Sequence, residues 1–209
     1  MEERVYVKIC GVTRVSDAVL CVEAGASAIG LNFVPTSKRC IDEETARDIV
    51  TAVAGRLELV AVVAGLPVEA MKALRARTGV DVLQLHGDES AEDLAGVLPG
   101  AMKAVHIDVA ADARDATRFG GDRLLADAKV KGELGGTGAS FDWSLIRELA
   151  RERSVIVAGG LTPENVRMAM QLVRPFGVDV ASGVESSPGI KDPARVRAFI
   201  DEARRARSR

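Results

Sequence analysis

The stretch VYVKIC, residues 5–10, is an apolar run of strand length that carries a lysine and a cysteine and stops at Gly11. A helix-like segment follows at 14–24. The same pairing then recurs along the whole chain. AIGLNFV (28–34) precedes ETARDIVTAV (44–53), LELVAVV (57–63) precedes PVEAMKALRAR (67–77), and DVLQLH (81–86) precedes SAEDLAGVL (90–98). MKAVHI (102–107) leads into a weak Ala- and Asp-rich segment near 111–119, and RLLAD (123–127) leads through a glycine-rich loop to DWSLIRELARE (142–152). SVIVAG (154–159) precedes PENVRMAMQLV (163–173), and GVDVAS (177–182) precedes PARVRAFIDEARRA (193–206). The segments between the runs repeat at three to four residues, as amphipathic helices do.

Strict strand-helix alternation implies a parallel sheet with right-handed crossovers. Eight units of about 25 residues fit an α/β fold of the closed (β/α)8 TIM barrel type near its lower size limit, as a single domain over 1–209. A doubly wound open sheet is the structural alternative. The composition agrees with either. Hydrophobic residues make up 47% of the chain and aromatics only 3%, so the core must be Val, Ile, Leu and Ala, which suits helix-covered parallel strands.

The formal charge of −2 gives no general attraction to nucleic acid or to an anionic membrane. The basic run RRARSR at the C-terminus reads as a solvated helix end. No apolar run is long enough to span a bilayer, and MEERVYVK lacks the build of a signal peptide. A cytoplasmic protein is expected. Cys10, Cys21 and Cys40 have no paired spacing, and the two histidines, His86 and His106, have no cysteine near them. That argues against a disulfide framework or a zinc site.

In a (β/α)8 barrel the chemistry sits where strands end and loops begin. Strand one offers Lys8 and Cys10 there, strand four Gln84 and His86, and strand six Asp127. The loop after strand two carries Ser37, Lys38 and Arg39. Strands seven and eight end in Gly159-Gly160 and Ser182-Gly183. Side chains alternate faces with a period of two. Val5, Val7 and Ile9 therefore face the helices, while Tyr6, Lys8 and Cys10 face the barrel interior. By the same parity Asp179 points inward from strand eight, which barrel closure makes the neighbour of strand one. A buried lysine needs a partner, and Asp179 is the nearest one. A cation beside Cys10 favours its thiolate.

AGGLTPENV places Thr162 as a helix cap with Pro163 at the first helical position. Glycine amides and a helix start form an anion site, and the loops after strands seven and eight are where phosphate binds in such barrels. The glycine-rich GELGGTGAS (132–140) reads as a cover for the site or as a long turn. Arg39 can grip a carboxylate with its planar fork. Cys21 and Cys40 read as a core residue and a loop residue, and His106 carries no assigned role.

These motifs resemble the phosphoribosylanthranilate isomerase family of tryptophan biosynthesis. The resemblance rests on KICGVT (8–13), SKRCI (37–41), LQLHGDE (83–89), GGTGASFDW (135–143), AGGLTPENV (158–166) and VDVASGVESSPGIKD (178–192), in the family's order. The chain departs from the family pattern at AVVAGLP (61–67), Ala126 and Ala139. The resemblance implies a metal-free and cofactor-free enzyme acting on a small phosphorylated substrate, as a monomer or homodimer. Its reaction is the Amadori rearrangement of N-(5-phosphoribosyl)anthranilate to 1-(2-carboxyphenylamino)-1-deoxyribulose 5-phosphate. The resemblance further implies that Cys10 is the general base at ribose C2 and that Asp127 is the general acid at the ring oxygen, with a raised pKa. Arg39 would hold the anthranilate carboxylate, and Gly159, Gly160, Ser182 and Gly183 the phosphate. Lys8, Gln84, His86 and Asp179 complete the expected substrate-facing set. Two other readings compete: a related phosphosugar isomerase or epimerase, and a non-catalytic barrel that binds a phosphorylated ligand.

Overall fold

The structure is a computed structural model that describes residues 5–127 and 144–206. Eight parallel strands close on themselves in chain order: β1 (Tyr6–Cys10), β2 (Ala28–Asn32), β3 (Glu58–Val63), β4 (Val82–Leu85), β5 (Ala101–His106), β6 (Arg123–Asp127), β7 (Ser154–Ala158) and β8 (Gly177–Val180). The alternative of an open doubly wound sheet is thereby excluded, because β8 pairs with β1 through Tyr6–Gly177 and Lys8–Asp179. Helices follow each strand: α1 (Val15–Ala24), α2 (Glu43–Val53), α3 (Val68–Thr78), α4 (Ala91–Ala95), α5 (Ala110–Asp115), α6 (Ser144–Glu152), α7 (Val166–Val173) and α8 (Pro193–Arg205). The expected loop 132–140 and Ala139 lie outside the described residues.

Two cores follow from strand parity. Val5, Val7, Ile9, Ile29, Leu31 and Leu83 belong to the layer between strands and helices. Tyr6, Ala28, Val60, Val82, Leu125 and Ile156 fill the barrel interior. Residues two apart thus fall in the same layer, as the alternation of a strand requires. Local signals set the helix ends. Asp42 accepts from the Thr45 amide, Ser90 and Asp93 form a capping box, and Asp192 accepts from Ala194 and Arg195 amides ahead of α8. Gly25 and Gly79 end α1 and α3 at φ of 84° and 76°, a left-handed conformation that glycine adopts without strain.

The structure corrects the bounds of two expected helices, the fourth and the seventh, and bears out the weak fifth. The fourth helix runs only to Ala95, because Gly96 ends it before the Leu98-Pro99 turn. The fifth is a six-residue helix continued by a 3-10 turn, Ala116–Arg118. The seventh starts at Val166, so Thr162 is not its cap and Pro163 is not its first residue. Asn165 is the reason. Its Oδ1 accepts from the Thr162 amide at 2.8 Å and its Nδ2 donates to the Gly160 carbonyl at 2.9 Å, which holds 160–165 as a turn. A further element was not expected: after the 3-10 turn Ser182–Val184, β9 (Glu185–Ser187) and β10 (Ile190–Lys191) form a small hairpin over the end of β1.

The closing seam is tight at its lower end. A Cβ on Gly177 would come within 2.4 Å of the Tyr6 carbonyl oxygen. Gly177→Ala should therefore destabilise the barrel by about 1–3 kcal/mol, the usual range for overpacking, read as a lower urea midpoint with an unchanged slope.

Candidate active site

The end of β1 is built around a buried cation. Lys8 is fully buried, and its Nζ donates to Asp179 Oδ1 at 2.9 Å. Burial alone would lower the lysine's pKa, but the charges of Asp179 and Cys10 outweigh it and the value is raised, so Lys8 stays an ammonium ion. Two residues on, Cys10 is partly exposed. Gly30 on β2 makes room for it: a Cβ at Gly30 would lie 2.7 Å from Cys10 Sγ and 3.1 Å from Lys8 Nζ. The thiol therefore lies over a bare patch of backbone beside the ammonium. Lys8 and Lys191 do favour the thiolate, as expected of cations. Burial is the larger effect, however, and with the Asp179 charge it leaves the Cys10 pKa above its ordinary value. The expected pull of Lys8 toward the thiolate is thus present but outweighed.

Arg39 crosses the end of β1. Its Cδ would be 2.3 Å from a Cβ on Gly11, and Gly11 has a φ of 71°. The glycine that ends VYVKIC thus serves both the turn and the passage of the arginine stem. The guanidinium makes a two-pronged bond to Glu185, with Nε–Oε1 at 2.7 Å and Nη2–Oε2 at 2.6 Å. Glu185 also accepts from Lys191 Nζ at 2.8 Å, and that ammonium donates to the Cys10 carbonyl at 2.6 Å. Burial raises the Glu185 pKa, but Arg39 and Lys191 more than reverse this, so the carboxyl is held ionised. Arg39 therefore stands at the mouth with its fork already engaged.

The opposite wall comes from β4, β5 and β6. Gln84 points inward, and its Nε2 is 2.9 Å from His86 Nδ1. His86 Nε2 lies 3.7 Å from Asp127 Oδ2, and His106 Nδ1 lies 3.9 Å from the same oxygen. His106 and Asp127 are register partners, so both point toward the barrel axis. The two imidazole rings meet edge to face with centroids 6.0 Å apart. Asp127 is three strands from Cys10 around the barrel through β7 and β8.

The remaining wall is backbone. Gly159 and Gly160 have φ of 92° and 61°, which turns the chain at the end of β7. Gly183 approaches the neighbouring loop so closely that a Cβ there would sit 1.9 Å from the Leu161 carbonyl oxygen. The loops after β7 and β8 are thus in backbone contact, and Ser182 and Gly183 lie in the 3-10 turn at that junction. The four expected phosphate residues lie in these two adjoining loops.

A thiol and a carboxyl on facing sides of one barrel mouth, with cationic groups and glycine loops between them, suit proton transfer on an anionic sugar. The family model for N-(5'-phosphoribosyl)anthranilate (PRA) isomerase matches residues 7–202. The chain belongs to this family. It is 44% identical to the N-(5'-phosphoribosyl)anthranilate isomerase of Pseudomonas aeruginosa, over 97% of each chain. The crystal structure of phosphoribosyl anthranilate isomerase from Thermotoga maritima superposes with a TM-score of 0.87 at 39% identity, covering 95% of this chain and 98% of that one. A phosphoribosyl anthranilate isomerase in complex with reduced 1-(o-carboxyphenylamino)-1-deoxyribulose 5-phosphate gives 0.84 at 37% identity, with the same coverage.

The sequence reading of this isomerase-family chain named Lys8, Cys10, Arg39, Gln84, His86, Asp127 and Asp179, and every one lies at or just below the barrel mouth. Glu185 and Lys191 were not among them, and His106 had been given no role. For the first two the signal is the charge pair inside VESSPGIKD. For His106 it is strand parity, which aims residue 106 inward just as it aims Asp127. In a Cys40→Ser background, iodoacetamide reactivity followed against pH should show Cys10 ionising above the ordinary thiol value of about 8.5. Lys8→Met should move that midpoint higher, since it removes a cation and leaves Asp179. A midpoint unmoved by Lys8→Met would refute the coupling.

Proposed function

We propose that the chain isomerises N-(5-phosphoribosyl)anthranilate to 1-(2-carboxyphenylamino)-1-deoxyribulose 5-phosphate by general acid–base catalysis without a cofactor. The observation that carries this reading is the facing placement of Cys10, over the gap left by Gly30, and Asp127, in a chain of the isomerase family. Asp127 protonates the ribose ring oxygen as the C1–O bond breaks, and the anilino nitrogen's lone pair forms the C1=N bond of an iminium ion. The Cys10 thiolate then takes the proton from C2, and those electrons form C1=C2 while the iminium nitrogen becomes neutral. The resulting enolamine gains a proton at C1 and loses one from the C2 hydroxyl, which gives the ketone. Product and substrate are isomers, so no redox partner is required.

The phosphate is assigned to the junction of Gly159, Gly160, Ser182 and Gly183, where glycine lets the backbone approach an anion. Arg39 receives the anthranilate carboxylate, either beside Glu185 or in exchange for it. Lys8 and Asp179 lie beneath the ribose, and Gln84 with His86 borders the ring on the Asp127 side. Among the described residues no helix is long and apolar enough to cross a membrane. With the small net charge this supports a cytoplasmic enzyme that acts, as a monomer or homodimer, on a small phosphorylated molecule rather than on nucleic acid.

Fluorescence-monitored consumption of phosphoribosylanthranilate tests the assignment. Cys10→Ser and Asp127→Asn should each lower kcat by about 10²–10⁴, the usual weight of one acid or base, with KM changed far less. Ordinary turnover by Cys10→Ala would refute the thiol as base.

A further inference from the structure

His86, His106 and Asp127 each offer one ligand atom, and these atoms all lie within 4.8 Å of one another. They stand at the ends of β4, β5 and β6, three consecutive strands, so the barrel wall itself sets their spacing. We propose that they form a binding site for a divalent transition-metal ion of the zinc, cobalt or nickel class, and that the bound ion inhibits the isomerase by occupying the Asp127 carboxylate. The binding half stands on geometry alone. The inhibitory half rests on the proposed role of Asp127.

The donor set points to that class of ion. Two imidazoles and a carboxylate suit zinc, nickel and copper better than magnesium or calcium, which take oxygen ligands. Three protein ligands with a fourth position open to the barrel mouth is the arrangement of an accessible zinc site. Bonds of 2.0–2.2 Å around a tetrahedral ion place its ligand atoms about 3.3–3.5 Å apart. His86 Nε2 and His106 Nδ1 are 3.7 and 3.9 Å from Asp127 Oδ2, a few tenths of an ångström from that spacing. The His106 side chain is 61% exposed, so its ring can turn the remaining distance without moving packed neighbours.

Gln84 supplies a second, independent observation. It is almost completely buried, and its Oε1 has no hydrogen-bond partner among the described residues. A metal-bound imidazole ordinarily donates its other ring N–H to an oxygen acceptor. With Gln84 Nε2 facing His86 Nδ1, the ring's proton sits on Nε2 and blocks coordination there. A half-turn of the amide brings Oε1 to Nδ1, moves the proton to Nδ1, and leaves the Nε2 lone pair for the ion. The half-turn loses no partner, because one amide atom is unpartnered in either orientation. The buried oxygen is thus an acceptor held ready beside the histidine that needs one.

Cobalt(II) titration tests the site through its visible absorption, with zinc(II) as competitor, in a Cys40→Ser background. The expected result is one Co²⁺ per chain with no thiolate-to-metal band. His106→Ala should weaken binding at least about 10–100-fold, the loss that even an outer partner of a ligand can cause. Each variant is referred to its own chelator-treated turnover, and in His106→Ala the zinc concentration that halves that turnover should rise by the same factor as the Co²⁺ dissociation constant. Cys10→Ser should leave the Co²⁺ spectrum in place. Three outcomes overturn the binding site: no Co²⁺ spectrum from the wild type, affinity unaltered by His106→Ala, or a spectrum that disappears with Cys10→Ser. Binding as expected with undiminished turnover overturns the inhibitory half and leaves the isomerase reading intact. Loss of turnover in the metal-free wild type would count against the isomerase reading itself, while the Co²⁺ spectrum still decides the site.

Discussion

The buried contact between Lys8 and Asp179 is the constraint on which the site depends. It joins the first strand of the barrel to the last, and the two residues are also register partners. An ion pair of this kind is weak evidence of net stability, because desolvation consumes much of the attraction. Breaking it from one side is another matter, costing about 3–5 kcal/mol because a charge is left buried without its partner. Side-chain parity makes a register slip equally costly, since it would turn Lys8 into the helix layer and Ile9 into the interior. The pair therefore holds β8 against β1 in one alignment. That alignment places Cys10 two residues beyond the lysine and Ser182-Gly183 just beyond the aspartate.

A second layer of charge lies above the first. Arg39, Glu185 and Lys191 link the loop after β2, the hairpin after β8 and the carbonyl of Cys10. Lys191 also reaches the Ala181 carbonyl at 3.3 Å, and its amide donates to Asp17 of α1 at 3.0 Å. Lys191 thus ties together the ends of β1 and β8 through its ammonium and the first helix through its backbone amide. Across both layers three cations face two carboxylates, so this side of the mouth carries a positive surplus. A ligand with a phosphate and a carboxylate meets a complementary field there. The same surplus opposes the effect of burial on Cys10.

The barrel was legible because it is periodic. Eight apolar runs separated by amphipathic segments leave few topologies open, and strand parity alone separated Val7 and Ile9 from Lys8 and Cys10. The pairing of Lys8 with Asp179 followed from parity and closure together. What was not legible depends on side chains that reach across loops. Nothing in the one-dimensional pattern says that Gly11 clears a path for Arg39, that Arg39 ends on Glu185, or that Gly183 rests on the Leu161 carbonyl. The start of α7 was misplaced because a proline after a threonine is a good helix opening by local rules, whereas Asn165 bonds both flanking backbones and keeps the turn open. His106 had no assigned role because a lone histidine on a strand most often satisfies a core position, yet it lies 20 positions from His86 on the next strand and meets that ring edge to face.

The raised thiol pKa bears on the order of events in the proposed reaction. A base with a higher pKa is scarcer at neutral pH but stronger once ionised. Before ring opening there is little for it to take, because the single C–H of ribose C2 is not acidic. On the proposed assignment, protonation of the ring oxygen by Asp127 would generate an iminium cation one bond away. That cation acidifies C2–H, and a positive charge beside Cys10 stabilises the thiolate that burial disfavours. In the proposed scheme, acid catalysis on the β6 side would therefore call up the base on the β1 side. A permanently ionised thiolate would sit beside an electrophilic sugar with no step to perform, whereas a thiol held neutral by burial and released by substrate charge confines its reactivity to the intermediate that requires it.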